Sequence, residues 1–315
     1  MRVSRLLDAI RPDARGSSVS IGNFDGVHQG HKQLLRRNLA LASAGGYTPS
    51  VLTFDPHPTH VVAPERAPKL ISTMQQRLEL IAAEGIEQTF VLPFDRAFAS
   101  MDPEEFIRHV LVDGIGARAV LVGDNFRFGA KQAGNVATLL ELGERLGFDT
   151  EIVPCVRVRG RVASSTAVRQ LITSGQVSAA CRMLGRPYAL EGRVVSGFGI
   201  GSKQTVPTLN LDTPAEVLPA NGVYITRTHD LDDVSRVWPS ITNVGTRPTF
   251  NGESLTIETF LLAPLNDPTP TRIRVELLRF VRQERRFNSP DQLKQQIFRD
   301  VGRANVYFRR VTRLG

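Results

Sequence analysis

Two histidines that follow a glycine-rich turn, His28 and His31, are the side chains in this sequence best placed to do chemistry. The stretch Ser18–His31 reads SVSIGNFDGVHQGH, which predicts a short strand, a turn and the start of a helix. Gly22 and Gly30 let the backbone approach a ligand closely. Side chains three residues apart share a helix face, and a helix start favours an anion through its unpaired N–H groups and its dipole. The pattern predicts a phosphate-binding corner, with a solvated polar turn as the alternative.

A second candidate is the segment Gly123–Gly129, which reads GDNFRFG. Its two aromatic rings and its arginine lie between glycines, so they are able to stack on a planar ring and hydrogen-bond its polar edge. The alternative is a turn whose phenylalanines pack inward.

A third candidate is Ser164–Arg169, which reads SSTAVR. Hydroxyl groups at a helix start cap the helix and also offer donors to a phosphate, and Arg169 follows one turn later on the same side. A plain helix cap is the alternative.

The elements around these segments predict an α/β fold for residues 1–185, with apolar strands alternating with amphipathic helices. A capping box is predicted at Ser72 with Gln75, a second at Asp102 with Glu105, and a helix start at Asn135. Such a pattern is typical of a parallel sheet that is covered on both faces, and ligands bind such sheets at the carboxyl ends of the strands. The loops GNFDG, DPHP and GDNFRFG each follow a strand, so we expect them to line one crevice. The predicted strands are Val19–Ile21, Ser50–Phe54, Thr89–Leu92, Ala119–Val122 and Thr150–Val153.

The pattern changes near Gly185, where strand-like runs come in quick succession between turns such as Asn221-Gly222 and Asn251-Gly252. Residues 186–315 are therefore predicted to form a small antiparallel β-barrel closed by a helix from Ser289 to about Arg303. The predicted strands are Leu190–Val195, Val223–Thr228, Val237–Asn243, Leu255–Leu262 and Ile273–Val281.

Composition limits the function classes further. The 315 residues are 41% hydrophobic and 22% charged, which is ordinary for a globular protein of two domains. The start has no apolar signal-like region and no run is long enough to span a membrane, so a cytoplasmic protein without a membrane partner is expected. Cys155 and Cys181 lack metal-ligand spacing and are expected to be buried or half-buried in a reducing compartment. The net charge of +8 suggests nucleic acid, but no nucleic-acid-binding motif accompanies the scattered arginines. Oligomeric state is not predicted.

The run GNFDGVHQGH resembles the nucleotide-binding signature in the adenylyltransferase half of the bacterial bifunctional riboflavin kinase/FMN adenylyltransferase (FAD synthetase) family. The resemblance implies a Rossmann-like nucleotidylyltransferase domain in which FMN and ATP give FAD and pyrophosphate, and SSTAVR is similar to its second nucleotide signature. It assigns His28, His31 and Arg169 to catalysis. It assigns Asn125, Phe128 and Asp124 to flavin binding. The ATP contacts that it implies in this half are Gly22, Asn23, Phe24, Asp25, Gly30, Ser164, Ser165 and Thr166.

The segment GRVVSGFGIGSKQTVPTLNL resembles the riboflavin kinase loop of the same family, which ends in P-T-x-N. The resemblance implies that Thr208 and Asn210 bind Mg²⁺ and ATP phosphates, that Gly201 and Lys203 contact ATP, and that Glu258 is the base for the ribityl hydroxyl of riboflavin. Thr208 and Asn210 offer the hard oxygen ligands that Mg²⁺ prefers. From alternation along a strand, Glu258 shares a face with Thr256 and Phe260. An ordinary exposed glutamate on a barrel strand is the alternative.

Two segments depart from the family pattern. Residues 202–205 read SKQT where many members have an arginine and a second glycine, and Lys203 restores the charge without a bidentate contact. Residues 264–271 lack the glycines and the tyrosine of the family's turn after the glutamate strand. These departures affect the expected kinase rate more than the fold. Two rival functions stay open from the sequence: a monofunctional nucleotidylyltransferase with an inactive barrel, and a non-enzymatic flavin or RNA binder.

Overall fold

The computed structural model describes residues 1–5, 14–195, 208–249, 252–265, 268–285 and 287–312. Backbone contacts divide the chain into two compact units, Met1–Ser165 and Thr166–Gly315. The first unit is built on a parallel sheet and the second on a closed antiparallel barrel, so the predicted α/β plus β-barrel fold class is confirmed.

The first unit contains a six-stranded parallel sheet in the order β1-β4-β3-β2-β5-β6. The chain runs outward from β2 to one edge through β3 and β4 and then returns to the other side of β2 through β5 and β6. The order therefore reverses between β2 and β5, which is where ligands bind in sheets of this kind. The strands are β1 Arg2–Ser4, β2 Ser17–Ile21, β3 Thr48–Asp55, β4 Gln88–Pro93, β5 Ala117–Gly123 and β6 Asp149–Val153, and a short hairpin, β7 Arg157–Val158 with β8 Arg161–Val162, follows.

Helices cover both faces of this sheet, and β2 is therefore buried along its whole length. Two apolar clusters fill the two sides, one under Leu34 and Leu35 and the other under Phe106 and Val110. The helices are α1 Gln29–Gly45, α2 Pro58–Val62, α3 Met74–Ala83, α4 Arg96–Ala99, α5 Pro103–Glu105 with a π-helical continuation Phe106–Ile115, and α6 Val136–Leu146; 3₁₀ turns lie at Pro64–Arg66 and Ala130–Gln132.

The helix ends test the predicted capping signals directly. The capping box at Asp102 with Glu105 and the helix start at Asn135 are confirmed. The capping box predicted at Ser72 with Gln75 is wrong by one residue, since the caps are Thr73 and Gln76. The reason is that Ser72 is engaged elsewhere, in a hydrogen bond with the carboxylate of Asp25.

The second unit begins with α7 and α8 and continues into a six-stranded barrel in the order β10-β13-β12-β11-β14-β9, closed by β9 pairing with β10. Strand β10 was not predicted as a strand, because the sequence around it was interpreted only as a ligand-binding loop. The elements are α7 Ser165–Thr173, α8 Val177–Leu184, β9 Tyr188–Val195, β10 Thr208–Asp212, β11 Gly222–Asp230, β12 Val237–Thr249, β13 Gly252–Leu261, β14 Arg272–Arg282 and α9 Pro290–Thr312.

Helix α9 covers the outside of the barrel through Ala304, which is fully buried against Val223 and Ile225. It runs to Thr312 and is therefore longer than predicted, because its apolar contacts with the barrel continue past Arg303 to Tyr307 and Phe308. In the part of the chain that the structure describes, no helix is long and apolar enough to cross a lipid bilayer. Neither cysteine is in a disulfide; Cys181 is half-buried as expected, whereas Cys155 is exposed, contrary to expectation.

Candidate active sites

The turn after β2 has an unusual backbone. Phe24 and Val27 have positive φ angles of 50° and 38° although neither is glycine, and Gly26 between them has φ 75°. Such angles are uncommon for residues with a Cβ and are maintained only where the surroundings enforce them. Both side chains are fully buried, which provides that enforcement. The turn is therefore a rigid feature at the carboxyl end of β2, next to the reversal point of the sheet.

His28 is the N-cap of α1 and so lies just before the helix rather than in its first turn. Its Nδ1 accepts hydrogen bonds from the backbone N–H groups of Gly30 at 3.2 Å and of His31 at 3.4 Å. An Nδ1 that accepts cannot carry a proton, so the ring is neutral and its proton is on Nε2. A Cβ on Gly30 would lie 3.1 Å from His28 Cε1. The absence of a side chain at Gly30 therefore makes room for the imidazole ring of His28 above the helix start.

His31 stacks on His28, with ring centroids 3.7 Å apart and planes inclined by 19°. The expectation that the two rings share one side is therefore met by stacking. Burial, the neighbouring His28 and the positive charge of Arg77 lower the pKa of His31 well below its usual value of 6.5. Two neutral imidazoles thus lie at the positive end of α1, where they can act as hydrogen-bond donors to an anion.

Hydrogen bonds to the Asp25 carboxylate connect this turn to the segment that leads into α3. Its carboxylate is 1% exposed and accepts hydrogen bonds from the backbone N–H groups of Ile71 and Ser72 and from the Ser72 hydroxyl, at 3.0 to 3.2 Å. Gly26 N–H in turn donates to Ser72 Oγ at 3.0 Å. Asp25 therefore orients the glycine-rich turn through these hydrogen bonds.

The second predicted nucleotide segment reaches the same turn. The Ser165 hydroxyl donates to the backbone carbonyl of Asp25 at 2.9 Å. Ser164 is half-buried and Thr166 is exposed at the start of α7, and Arg169 follows one helical turn later, half-buried. The hydroxyl of Ser165 is thus used to anchor the helix start to the glycine-rich turn.

The loop Gly123–Gly129 follows β5, on the other side of the sheet reversal. Asp124 and Asn125 are exposed there, and Asp124 Oδ2 accepts a hydrogen bond from Cys155 N–H at 3.4 Å. Phe128 is 7% exposed and packs in the apolar core, stacked on Phe126 with ring centroids 5.4 Å apart. The structure therefore favours the inward-packing alternative for Phe128, whereas Asp124, Asn125 and Arg127 are exposed.

Arg77 in α3 belongs to this site and was not predicted. Its side chain is 2% exposed, and Nη2 lies 4.0 Å from Asp25 Oδ1. In a helix of mixed composition an arginine is normally assigned to the exposed face, so nothing in the local pattern signals its burial. Only the fold of the Leu70–Thr73 segment over the glycine-rich turn brings it there.

A second polar site lies on the outer face of the barrel. Asn210 of β10 is directly opposite Glu258 of β13, and Glu258 is directly opposite Asn243 of β12. Directly opposed residues have Cβ atoms about 5 Å apart, so these three side chains form one row. All three are half-buried, whereas their neighbours Thr242 and Thr259 point into the barrel and hydrogen-bond at 3.0 Å.

Thr208 lies two residues before Asn210 in β10 and therefore shares its face. The predicted pair Thr208 and Asn210 is thus brought beside the predicted base Glu258. Asn243 is an additional member of the row that was not predicted as a site residue, and its Nδ2 lies 3.5 Å from Glu284 Oε1. The predicted ATP contacts Gly201 and Lys203 lie outside the described residues.

Taken together, the features define a class: a nucleotide-handling protein with a nucleotidylyltransferase-like α/β unit and a separate β-barrel that has its own polar site. Comparisons with known proteins agree with this class. The family description FAD synthetase matches residues 10–167, and the description riboflavin kinase matches residues 184–308.

Similar proteins span the whole chain. A bifunctional riboflavin kinase/FMN adenylyltransferase of Pseudomonas fluorescens is 35% identical over 97% of this chain and 97% of its own. The protein of the same description from Escherichia coli K12 is 35% identical over 93% of both chains. A crystal structure described as a macrolide-efflux protein from Streptococcus pneumoniae has a TM-score of 0.85 and 27% identity, covering 95% of this chain and 97% of its own. The chain belongs to the bifunctional riboflavin kinase/FMN adenylyltransferase family, which confirms the resemblance seen in the sequence.

Proposed function

We propose that this protein makes FAD in two steps: riboflavin is phosphorylated to FMN by ATP, and FMN is then adenylylated by a second ATP with release of pyrophosphate. Family membership over nearly the full chain supports both activities. The observation that carries the proposal is the presence of two separate polar sites, the His28–His31 pair at the start of α1 and the Asn210–Glu258–Asn243 row on the barrel.

In the first unit, adenylyl transfer needs no protein nucleophile. A phosphate oxygen of FMN forms a bond to the α-phosphorus of ATP, and the bond from that phosphorus to the bridging oxygen of pyrophosphate breaks. The protein must position two anions and stabilise the charge that develops on the phosphoryl oxygens. We assign His28 Nε2–H and His31, at the positive end of α1, to this task, with Arg169 as a further cationic contact.

The flavin and the nucleotide would meet between the ends of β2 and β5. We propose that Asn125 and Asp124 contact the flavin, since both are exposed beyond β5, and that Phe128 supports their loop from the core. The turn residues Gly22, Asn23, Phe24, Asp25 and Gly30, together with Ser164, Ser165 and Thr166, would shape the ATP site.

In the barrel, Glu258 is proposed to accept the proton of the ribityl hydroxyl as that oxygen attacks the γ-phosphorus of ATP, and ADP leaves. Asn210 and Asn243 flank Glu258 in register and would hold its carboxylate in place. A carboxylate held between two amides keeps a defined orientation toward the substrate.

The residues present at the barrel site fit Mg²⁺. Thr208 and Asn210 supply oxygen ligands on one face, and Mg²⁺ characteristically takes only one or two protein ligands together with water and substrate phosphates. Among the described residues there is no cluster of three or more His, Cys, Asp or Glu side chains that could bind a metal without substrate. When bound, the ion would supply charge neutralisation for the ATP phosphates. Gly201 and Lys203 are proposed to complete the ATP contacts.

We further propose that the functional boundary lies near residue 185, giving an adenylyltransferase domain of residues 1–185 and a kinase domain of residues 186–315. The two matched family segments end at residue 167 and begin at residue 184, which supports a boundary in or near the α7–α8 region. A reducing compartment such as the cytoplasm is proposed because both cysteines are free.

The direct test incubates the purified full chain with MgATP and either riboflavin or FMN, and follows FMN, FAD and pyrophosphate by chromatography and a coupled assay. Formation of FMN and then FAD from riboflavin is expected. FAD from FMN without any FMN from riboflavin would contradict the kinase half and would point to the altered 202–205 loop. Pyrophosphate release stimulated by other phosphate esters but not by FMN would contradict the flavin assignment.

A further inference from the structure

Glu284 is a carboxylate that lies beside the polar row of the barrel. It comes two residues after the end of β14, and its Oε1 accepts a hydrogen bond from Asn243 Nδ2 of β12 at 3.5 Å. A Cβ on Gly245 would lie 2.8 Å from both Cδ and Oε2 of Glu284, so the carboxylate lies directly on this glycine. Gly245 follows Asn243 by two residues and shares its face of β12. Glu284 therefore extends the row Asn210–Glu258–Asn243 by one acidic side chain.

The arginines next to Glu284 in the sequence do not neutralise it. Arg282 forms an ion pair with Asp300 of α9 at 2.8 Å. Arg285 donates a hydrogen bond to Gln296 of the same helix. Within the part of the chain that the structure describes, no lysine, arginine or histidine forms an ion pair with Glu284, whose hydrogen-bond partner there is an uncharged amide. The negative charge of this carboxylate is therefore not used in holding the barrel together.

The charges divide the barrel site into two chemically different parts. Thr208 and Asn210 offer uncharged oxygen atoms, which fit Mg²⁺ and the phosphates that it carries. Glu258 and Glu284 are both carboxylates, and both lie next to the Asn243 amide. Two carboxylates repel a phosphate group, whereas they accept hydrogen bonds from neutral hydroxyl groups. The Asn243 part of the site therefore fits an uncharged compound with several hydroxyl groups better than it fits ATP.

The ribityl chain of riboflavin is such a group. It carries secondary hydroxyl groups beside the terminal hydroxyl that Glu258 is proposed to deprotonate. Neighbouring hydroxyl-bearing carbons are one C–C bond apart, and directly opposed residues such as Glu258 and Asn243 have Cβ atoms about 5 Å apart. With the terminal hydroxyl at Glu258, the next hydroxyls come within reach of Asn243 and Glu284. The Asn243 amide has two N–H donors and one oxygen, so its bond to Glu284 leaves groups for a ligand.

We propose that Asn243 and Glu284 form the subsite that binds the secondary hydroxyl groups of the ribityl chain, and that Glu284 is a specificity-determining residue for the flavin substrate. This inference rests on the proposed phosphorylation of riboflavin, since it names the part of that substrate which the pair binds. The secondary hydroxyls do not react, so their contact with Glu284 is the same in the bound substrate and in the transition state. Such a contact strengthens binding and leaves the chemical step unchanged.

The test compares full-length wild type, Glu284→Ala and a matched control, Glu141→Ala, which removes an exposed glutamate of α6. Riboflavin binding is measured by quenching of riboflavin fluorescence in the presence of MgADP, which cannot phosphorylate it, and FMN formation with MgATP is followed by chromatography. Glu284→Ala is expected to raise the Kd and the KM for riboflavin at least about tenfold. Its kcat and its KM for ATP should stay within about twofold of the wild type. The control should match the wild type throughout.

A second measurement uses riboflavin analogues that each lack one secondary ribityl hydroxyl. For the analogue without the hydroxyl that Glu284 binds, the wild type should lose at least about tenfold in affinity, and Glu284→Ala should show no further loss. An equal loss on substitution for riboflavin and for every analogue would overturn the proposal, as would an unchanged Kd for riboflavin or a fall in kcat at unchanged KM. A wild-type chain that makes no FMN would instead contradict the proposed kinase activity, and the binding comparison would still decide this inference.

Discussion

The double role of His28 gives a prediction that separates helix capping from chemistry. His28 caps α1 through Nδ1 and carries its proton on Nε2. One substitution can therefore remove the imidazole N–H donor and keep the cap. Asparagine is a favoured N-cap residue whose side-chain oxygen accepts the same backbone N–H groups. His28→Asn therefore preserves the cap without the imidazole donor, whereas His28→Ala removes both.

The magnitudes follow from these two roles. Loss of an N-cap costs about 1 kcal/mol, which lowers the Tm of a unit of this size by about 2–4 °C. Loss of one donor to the transition state lowers kcat by about 10²- to 10³-fold. We expect His28→Ala to lose both stability and FAD formation, and His28→Asn to lose FAD formation with a Tm within about 1 °C of the wild type.

The assay follows FAD formation from FMN and MgATP by chromatography, with Tm from calorimetry on the same preparations. Riboflavin phosphorylation serves as the matched control and should be unchanged in both variants. A His28→Asn protein that forms FAD within about threefold of the wild-type rate would refute the reasoning, because the imidazole would then be only a cap.

Two further predictions concern the same corner. Gly30→Ala would place a Cβ 3.1 Å from His28 Cε1 and 3.3 Å from the Ala163 carbonyl oxygen. The stacked His28 ring must then tilt, so FAD formation should fall at least about tenfold. Gly302→Ala is the control and should be unaffected, because its Cβ meets nothing within 4 Å. Equal rates in the two variants would contradict the crowding argument. Because burial lowers the pKa of His31 below 6.5, the unfolded chain binds more protons just below that pH, so the free energy of unfolding should fall as pH drops below about 6.5. Urea titrations should show this slope weakened in His31→Gln, and an identical slope in both proteins would contradict it.

Local sequence signals predicted the framework well. The helix start at Asn135 and the capping box at Asp102 with Glu105 depend on the few residues around them, and both are confirmed. Helix ends whose local signals compete with tertiary contacts were predicted less well. The Ser72 prediction failed because Asp25, 47 residues earlier, uses that hydroxyl and displaces the cap to Thr73.

The two candidate sites were also predicted only in part, because local patterns do not show contacts between residues that are distant in the sequence. The spacing of His28 and His31 indicated a shared face at a helix start, but not that His28 itself is the cap. Arg77 could not be predicted, because its burial arises only when α3 packs beside the turn. Likewise, the row formed by Asn210, Glu258 and Asn243 depends on the register of three strands, one of which had been interpreted as a loop.

The central claim is that one chain has two independent reaction sites, and paired lesions test it most directly. Full-length His28→Ala/His31→Ala and Glu258→Ala proteins are each given riboflavin or FMN with MgATP, and FMN and FAD are quantified. The account predicts that the histidine variant accumulates FMN and forms no FAD, and that the Glu258 variant forms no FMN yet converts supplied FMN to FAD. Loss of both products to the same extent in both variants would contradict it.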